Sequence, residues 1–311
     1  MTNALELTGI SHRRVNLGQI DMHVAELGTG PAVLFLHGFP ELWLTWRHQI
    51  TALAEAGYRA IAPDQRGYGD TSVPSDVQAY DIEHLSGDVV RLLDALDLEQ
   101  AVVVGHDWGA MVAWYTALMH RDRVRAVAGV SVPFVPRTPV PPTQFWRETL
   151  GEDFYMLWFQ EAGVADALFD ADVERALTGR WIDDREGWRN GPATSAVTFR
   201  SPEDHQAVIA ALKRNGWTGP LNWYRNFDRN WELLAPYDGR TIDQPALYIG
   251  GENDPVLQFM PPSIMDGHVT DLRGADILPG VTHWMQEEAP DQVNRRLLDF
   301  LAGLSEQHTA D

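Results

Sequence analysis

The spacing of apolar positions changes twice along the chain, and the two changes divide it into three parts. Through the first 132 residues, short β-branched apolar runs alternate with stretches of helical period. Residues 20–27 and 58–63 read as strands, and 32–36 as a buried strand because its apolar run is unbroken. Residues 43–56 and 81–96 read as helices, the second carrying Leu85, Val89, Leu92, Leu93 and Leu96 on one face. A further strand starts at Ala101, an apolar helical stretch covers 111–119, and 124–132 is again a strand. Strands separated by helices of about ten residues or more call for parallel pairing with right-handed crossovers.

The rhythm breaks at 131–143, where prolines stand at 133, 136, 139, 141 and 142. Such a run continues neither strand nor helix and reads as a linker. From about 144 to 234 the period is helical, with Phe154 and Trp158, and Tyr155 and Phe159, as i,i+4 aromatic pairs. Ser201 is placed to cap a helix beginning at Pro202, and Pro220 is expected to open the helix carrying Tyr224. Strand signals return at 246–250 and 275–278, and an amphipathic helix is expected over 291–301. The chain thus reads as an α/β core, residues 1–135 and 236–311, interrupted at 136–235 by a helical lid with a proline-rich lead-in.

Composition narrows the function. A length of 311 residues suits one large α/β domain or two smaller ones. A net charge of −20 argues against nucleic acid and anionic membrane partners, whose phosphates it would repel. No apolar run approaches the ~18 residues needed to span a bilayer. Residues 1–18 hold no signal-peptide core, so a cytoplasmic protein is expected. The absence of cysteine excludes disulfides, thiolate metal sites and a cysteine nucleophile. No His–carboxylate cluster has ligand spacing and no phosphate loop is present, so neither metal nor organic cofactor is expected.

Chemistry concentrates at Gly105-His106-Asp107-Trp108-Gly109, which follows an apolar strand and precedes an apolar helix. The layout resembles the nucleophile elbow of α/β-hydrolases, with aspartate where serine is more familiar. A carboxylate needs no base to activate it and attacks an electrophilic carbon to leave an ester on the enzyme. In that fold the triad runs nucleophile, acid, histidine. His283, just past the last strand signal, is the candidate base, while His37 and His106 read as packing or turn residues. Gly250-Gly251-Glu252-Asn253-Asp254 supplies the acid, Asp254 preferred over Glu252; the alternative place after the strand at 124–132 offers Ser131, Val132 and Pro133 and no carboxylate. His37-Gly38-Phe39-Pro40 ends a strand in a tight turn, so the N–H groups of Phe39 and Trp108 are the oxyanion-hole candidates, and the Phe39–Pro40 bond is expected to be cis. Tyr155 and Tyr224 fall on different lid helices and could face each other over Asp107, though periodicity alone does not distinguish them from packing residues.

The segments His37-Gly-Phe-Pro-Glu-Leu-Trp-Leu-Thr-Trp-Arg-His48, Asp64-Gln-Arg-Gly-Tyr-Gly-Asp70, Gly105-His-Asp-Trp-Gly109 and Thr282-His-Trp284 together resemble the soluble epoxide hydrolases of the α/β-hydrolase superfamily. The resemblance runs from about Ser11 to Leu301. It implies a mostly parallel eight-stranded sheet flanked by helices, with an inserted helical lid. It also implies Asp107 as nucleophile, His283 as base oriented by Asp254, and Tyr155 and Tyr224 as lid acids that bind the epoxide oxygen. One departure is Val281-Thr282 before His283, where the family commonly places glycine. Asp64 and Arg66 are expected to form a structural pair within their turn.

The expected reaction converts a hydrophobic epoxide and water to a vicinal diol, in a monomer or homodimer. Phe39, Trp108, Phe154, Met156, Trp158 and Trp223 are the expected pocket residues. Two rivals remain at this stage. A haloalkane dehalogenase shares the Asp-Trp elbow but would need N–H donors for a halide and would leave both tyrosines idle. A ligand receptor on the same fold would not need Asp107, Asp254 and His283 together.

Overall fold

The computed structural model describes residues 9–178 and 200–306. Eight strands form one sheet in the order β1-β2-β4-β3-β5-β6-β7-β8. They are Ser11–Asn16, Asp21–Leu27, Ala32–Leu36, Arg59–Pro63, Ala101–His106, Val124–Val130, Ala246–Gly251 and Leu272–Leu278, numbered β1 to β8. β2 runs antiparallel to both its neighbours, and every pair from β4 through β8 is parallel. This is the α/β-hydrolase fold. β3 and β5 are buried along their whole length, as their unbroken apolar runs require of central strands covered on both faces.

The edge strand β1, Ser-His-Arg-Arg-Val-Asn, was not legible in the sequence. It is polar and almost wholly exposed, so no apolar alternation marks it; pairing with β2 from Ser11 opposite Glu26 to Asn16 opposite Asp21 makes it a strand. Other boundaries shift for local reasons. The helix expected over 43–56 is a 3-10 turn, Trp43–Trp46, followed by α1, Arg47–Glu55. β6 stops at Val130, before the expected end, because Ser131 turns the chain with φ +73°. The amphipathic helix α2, Ile82–Ala95, is capped by the Asp81 carboxylate, which accepts from the His84 N–H.

Among the described residues, the helices between Pro142 and Leu233 are inserted between β6 and β7: α4 (Pro142–Thr149), α5 (Tyr155–Trp158), α6 (Val164–Ala171), α7 (Val173–Thr178), α8 (Pro202–Asn215), α9 (Thr218–Arg225) and α10 (Phe227–Leu233). Pro142, assigned to the linker on sequence grounds, is the first residue of α4, where its missing N–H costs nothing. Ser201 caps α8 through the Asp204 N–H, with Pro202 next. Pro220 does not open its helix, since α9 already begins at Thr218. Part of the expected lid, residues 179–199, lies outside the described residues.

The elbow joins β5 to α3, Trp108–Met119, through Asp107 at φ +52° and ψ −120°. Gly105 and Gly109 permit the crossing. A Cβ on Gly105 would lie 2.0 Å from the Gly109 carbonyl oxygen, and one on Gly109 would lie 2.1 Å from that of Leu36. The inserted helices seat on the core partly through buried charge: Arg47 reaches Asp204 (3.3 Å) and Glu287 (3.5 Å), and Arg200 joins Glu287 and Glu41.

The expected Asp64–Arg66 pair is corrected. Arg66 points down to α2, where its guanidinium donates twice to Asp88 at 2.7 Å, while Asp64 accepts from His23 and from the Trp43 N–H. Neighbouring side chains in a turn point apart, and each finds a partner on a different element. Arg66 and Asp88 are both almost inaccessible, so removing one strands the other's charge. Asp88→Ala should lower unfolding stability in urea by about 3–5 kcal/mol; a loss below about 1 kcal/mol would mean the pair contributes no more than an exposed one.

Candidate active site

The loops after β3, β5, β6, β7 and β8 converge at the carboxyl ends of the parallel strands, where open α/β sheets place their sites. Asp107 occupies the centre. Its Oδ1 accepts from the Phe39 N–H at 2.8 Å. The Trp108 N–H, next along the chain, also favours the charged carboxylate. The Phe39–Pro40 bond is cis. Burial pushes the Asp107 carboxyl upward, and the nearby Asp254 adds to this; His283 and the two N–H groups oppose it. The side chains of Asp107 and His283 each keep 18% of their surface exposed, enough for a small molecule to reach both.

His283 Nε2 stands 3.7 Å from Asp107 Oδ2, too far for a hydrogen bond, so the ring faces the carboxylate without being tied to it. On its other side, Nδ1 lies 3.1 and 3.2 Å from the two oxygens of Asp254. Asp254 accepts a further bond from the Val256 N–H at 3.0 Å. Glu252, the other acid in that loop, instead accepts from the Gly280 N–H at 2.7 Å. The turn before His283 is held by Thr282, whose N–H and hydroxyl both donate to Glu288 Oε2.

Two further residues belong here. Ser131 follows β6, at a place that offers no carboxylate. Its hydroxyl donates to Asp254 Oδ2 at 2.6 Å and lies 3.0 Å from His283 Nδ1. Its short apolar surroundings gave no chemical signal; only the pairing of β6 with β7 brings it beside Asp254. His106, read as packing, is wholly buried and its Nε2 donates to the His283 carbonyl at 2.9 Å. Burial first, then the neighbouring His283, lowers its pKa to about 3, so it stays neutral.

Tyr155 on α5 and Tyr224 on α9 approach with ring centroids 6.2 Å apart. Tyr224 stands edge-on to Phe39 (5.0 Å) and Trp108 (5.2 Å), which places it above the elbow. Burial and the charge of Asp107 push both phenols well above their usual range, so both carry their protons at neutral pH. Gln160, which the pattern did not single out, donates from its amide to the carbonyls of Met156 (2.8 Å) and Tyr224 (3.0 Å), tying the two tyrosine helices together.

The remaining expected pocket residues divide. Phe154 packs on Tyr155, Trp146 and Phe259, and Met156 is buried. Trp158 packs away from Asp107, on Phe159 and Phe169. Trp223 lies behind Trp108 and donates its indole N–H to the Arg66 carbonyl at 3.1 Å, so it backs the elbow rather than lining open space. Among the described residues, no cluster of three or more His, Cys, Asp or Glu could hold a metal. None of their helices is long and apolar enough to cross a membrane.

Comparison with known proteins agrees in sequence and in shape. The α/β hydrolase fold family model matches residues 31–260. Epoxide hydrolase A of Mycobacterium tuberculosis is 45% identical over 94% of this chain and 98% of its own. Epoxide hydrolase 1 of Siraitia grosvenorii is 40% identical with the same coverage. The crystal structure of epoxide hydrolase A from Mycobacterium thermoresistibile superposes with a TM-score of 0.86 at 44% identity, covering 94% of this chain and 98% of that one. An epoxide hydrolase from Vigna radiata superposes at 0.89 with 40% identity, covering 96% and 99%.

The two site histidines should titrate differently. Burial disfavours the His283 imidazolium, but Asp254, by charge and hydrogen bond, and Asp107 outweigh it and raise its pKa above 6.5. His283 should therefore take up a proton at a pH above that of an ordinary histidine, and Asp254→Asn should move this midpoint down. His106 should remain neutral between about pH 5 and 9. Imidazole NMR titrations would show both, and an Asp254→Asn midpoint that stays in place would contradict the stated cause.

Proposed function

The chain belongs to the epoxide hydrolases of the α/β-hydrolase fold, and from that premise we propose that Asp107, His283, Asp254, Tyr155 and Tyr224 carry the reaction as two steps through a covalent ester. The observation that supports this most is the placement of one carboxylate between a histidine and two neutral phenols. Oδ2, the oxygen not held by the Phe39 N–H, attacks an epoxide carbon. The carbon–oxygen bond of the ring breaks, and the departing oxygen takes a proton from a phenol. A phenol is a weak acid in water but a strong enough one toward an alkoxide.

In the second step His283 Nε2 removes a proton from water, whose oxygen adds to the ester carbonyl. The negative charge gathers on Oδ1, against the N–H groups of Phe39 and Trp108. Each such donor is worth on the order of 3 kcal/mol where charge develops. Collapse breaks the bond between Cγ and the alkyl-bearing oxygen, which takes the second proton of that water, releasing a vicinal diol and restoring the carboxylate. The proton gained by His283 balances the one given by the phenol. Asp254 keeps Nδ1 protonated and so leaves Nε2 free to accept.

We read residues 136–235 as the lid that brings the two phenols to the elbow, and its aromatic lining (Phe154, Tyr155, Phe159, Trp108) as favouring hydrophobic epoxides. The dehalogenase rival gains nothing from this arrangement. Opposite Asp107 stand two hydroxyls suited to an oxygen leaving group, and Phe39 has no side-chain donor for a halide.

Three experiments test the mechanism. With His283→Gln, ester hydrolysis should fall by about 10²–10⁴-fold, and intact mass spectrometry should find protein plus one substrate; diol release at the wild-type rate would refute the base assignment. In a single turnover in ¹⁸O-water, the first diol should carry no label, because its new oxygen comes from Asp107. Tyr155→Phe and Tyr224→Phe should each slow formation of the ester, and their combination should nearly abolish it; an unaffected double variant would remove the phenols from the mechanism.

A further inference from the structure

We propose that Ser131 is a positioning residue for the catalytic histidine, using its one proton to fix the Asp254 carboxylate and its lone pair to share the Nδ1–H of His283. The proposal rests on His283 acting as the base that hydrolyses the ester.

Proton counting sets the direction of each bond. Asp254 has no proton to give, so the 2.6 Å contact between Ser131 Oγ and Asp254 Oδ2 is donated by the hydroxyl. That length is typical of a hydroxyl bonded to a charged carboxylate, which is among the stronger hydrogen bonds in proteins. The serine proton is then used, and at 3.0 Å from His283 Nδ1 the same oxygen can only accept. The Nδ1–H is therefore shared among three acceptors, Ser131 Oγ and the two Asp254 oxygens. Nε2 is left without a proton and faces Asp107. This is the tautomer that a general base requires.

The fold places the hydroxyl with care for its direction. Ser131 sits at the carboxyl end of β6 with φ +73°, a conformation a side chain adopts at some cost. Its backbone is fixed on both sides by β7: its N–H donates to the Ile249 carbonyl at 2.8 Å, and its carbonyl accepts from the Tyr248 hydroxyl at 2.8 Å. The residue is fully buried, so water cannot replace the bond. Glycine would suit this backbone better than serine does. A serine here is thus explained by its hydroxyl rather than by its turn.

The groups facing His283 fix the sign of the pH effect. They are Asp254 from the loop after β7, Asp107 from the elbow, and the neutral His106 at the end of β5. Ser131 quenches part of the Asp254 charge, as its contribution to holding that carboxyl below the usual range shows, although burial acts the other way. Without the hydroxyl, Asp254 would hold the imidazolium more tightly, and its carboxylate would be freer to turn away from Nδ1.

Ser131→Gly removes the hydroxyl while relieving the backbone. Rapid-quench mass spectrometry on the full-length enzyme, with styrene oxide as the probe, would follow ester formation and ester hydrolysis separately. The expected result is unchanged ester formation, hydrolysis slowed about ten- to a hundred-fold (one hydrogen bond to a charged group), and an acid limb of hydrolysis moved to higher pH. Ser131→Cys, with a weaker donor on the same backbone, should fall between the two. Hydrolysis that is unchanged, or both steps falling together with an unmoved pH profile, would overturn the proposal and leave Ser131 a structural residue. If the wild-type enzyme and His283→Gln form no ester at all, the mechanism itself fails and this inference with it; an ester in those proteins with Ser131→Gly like wild type defeats the inference alone.

Discussion

The backbone at Asp107 is the constraint from which the rest of the site follows. A non-glycine residue at φ +52° and ψ −120° is unfavourable by itself and persists only where surrounding structure holds it. Here the holding is done by β5, by α3 and by the end of β3, packed so close that Gly105 has no room for a Cβ against α3 and Gly109 none against Leu36. The strain has a direction. It turns the carboxylate out of the sheet, toward the N–H groups at the start of α3 and in the loop after β3, where an anion is welcome.

Once a carboxylate is fixed there, its neighbours follow from charge. Burial raises the cost of ionising Asp107, and His283 reduces it, while the same His283 is itself kept basic by two carboxylates on opposite faces. Asp254 can stay ionised in the interior because His283, Ser131 and the Val256 N–H all donate to it. The tyrosines lie on the opposite side of the same logic: a buried phenol near an anion keeps its proton. The site thus sets a histidine and two protonated phenols around one carboxylate.

The seam between core and inserted helices carries a second buried charge network, from Arg47 and Arg200 to Asp204, Glu41 and Glu287. Glu41 follows the Phe39–Pro40 turn, and Glu287 lies on the short helix just after His283. Arg200, from the inserted segment, is therefore tied to the same loops that hold Phe39 and His283.

Linear pattern was enough for the α/β alternation, for the helical insertion between the sixth and seventh strands, and for the elbow at 105–109, because each is encoded by local periodicity or by glycine spacing. The candidate residues Asp107, Asp254 and His283 could be named from chain order in the fold, and Tyr155 and Tyr224 by resemblance. Contacts made across the sheet were beyond such reading. Strand β1 has no apolar pattern and exists through its pairing with β2; Arg66 finds Asp88 on α2 rather than its neighbour Asp64; and Ser131 meets Asp254 only because β6 and β7 are adjacent. Periodicity and turn chemistry are properties of neighbours along the chain, so the sequence determines them alone. Partners 22 or 123 positions apart, as for Arg66 and Ser131, are chosen by packing, and only the folded sheet decides them.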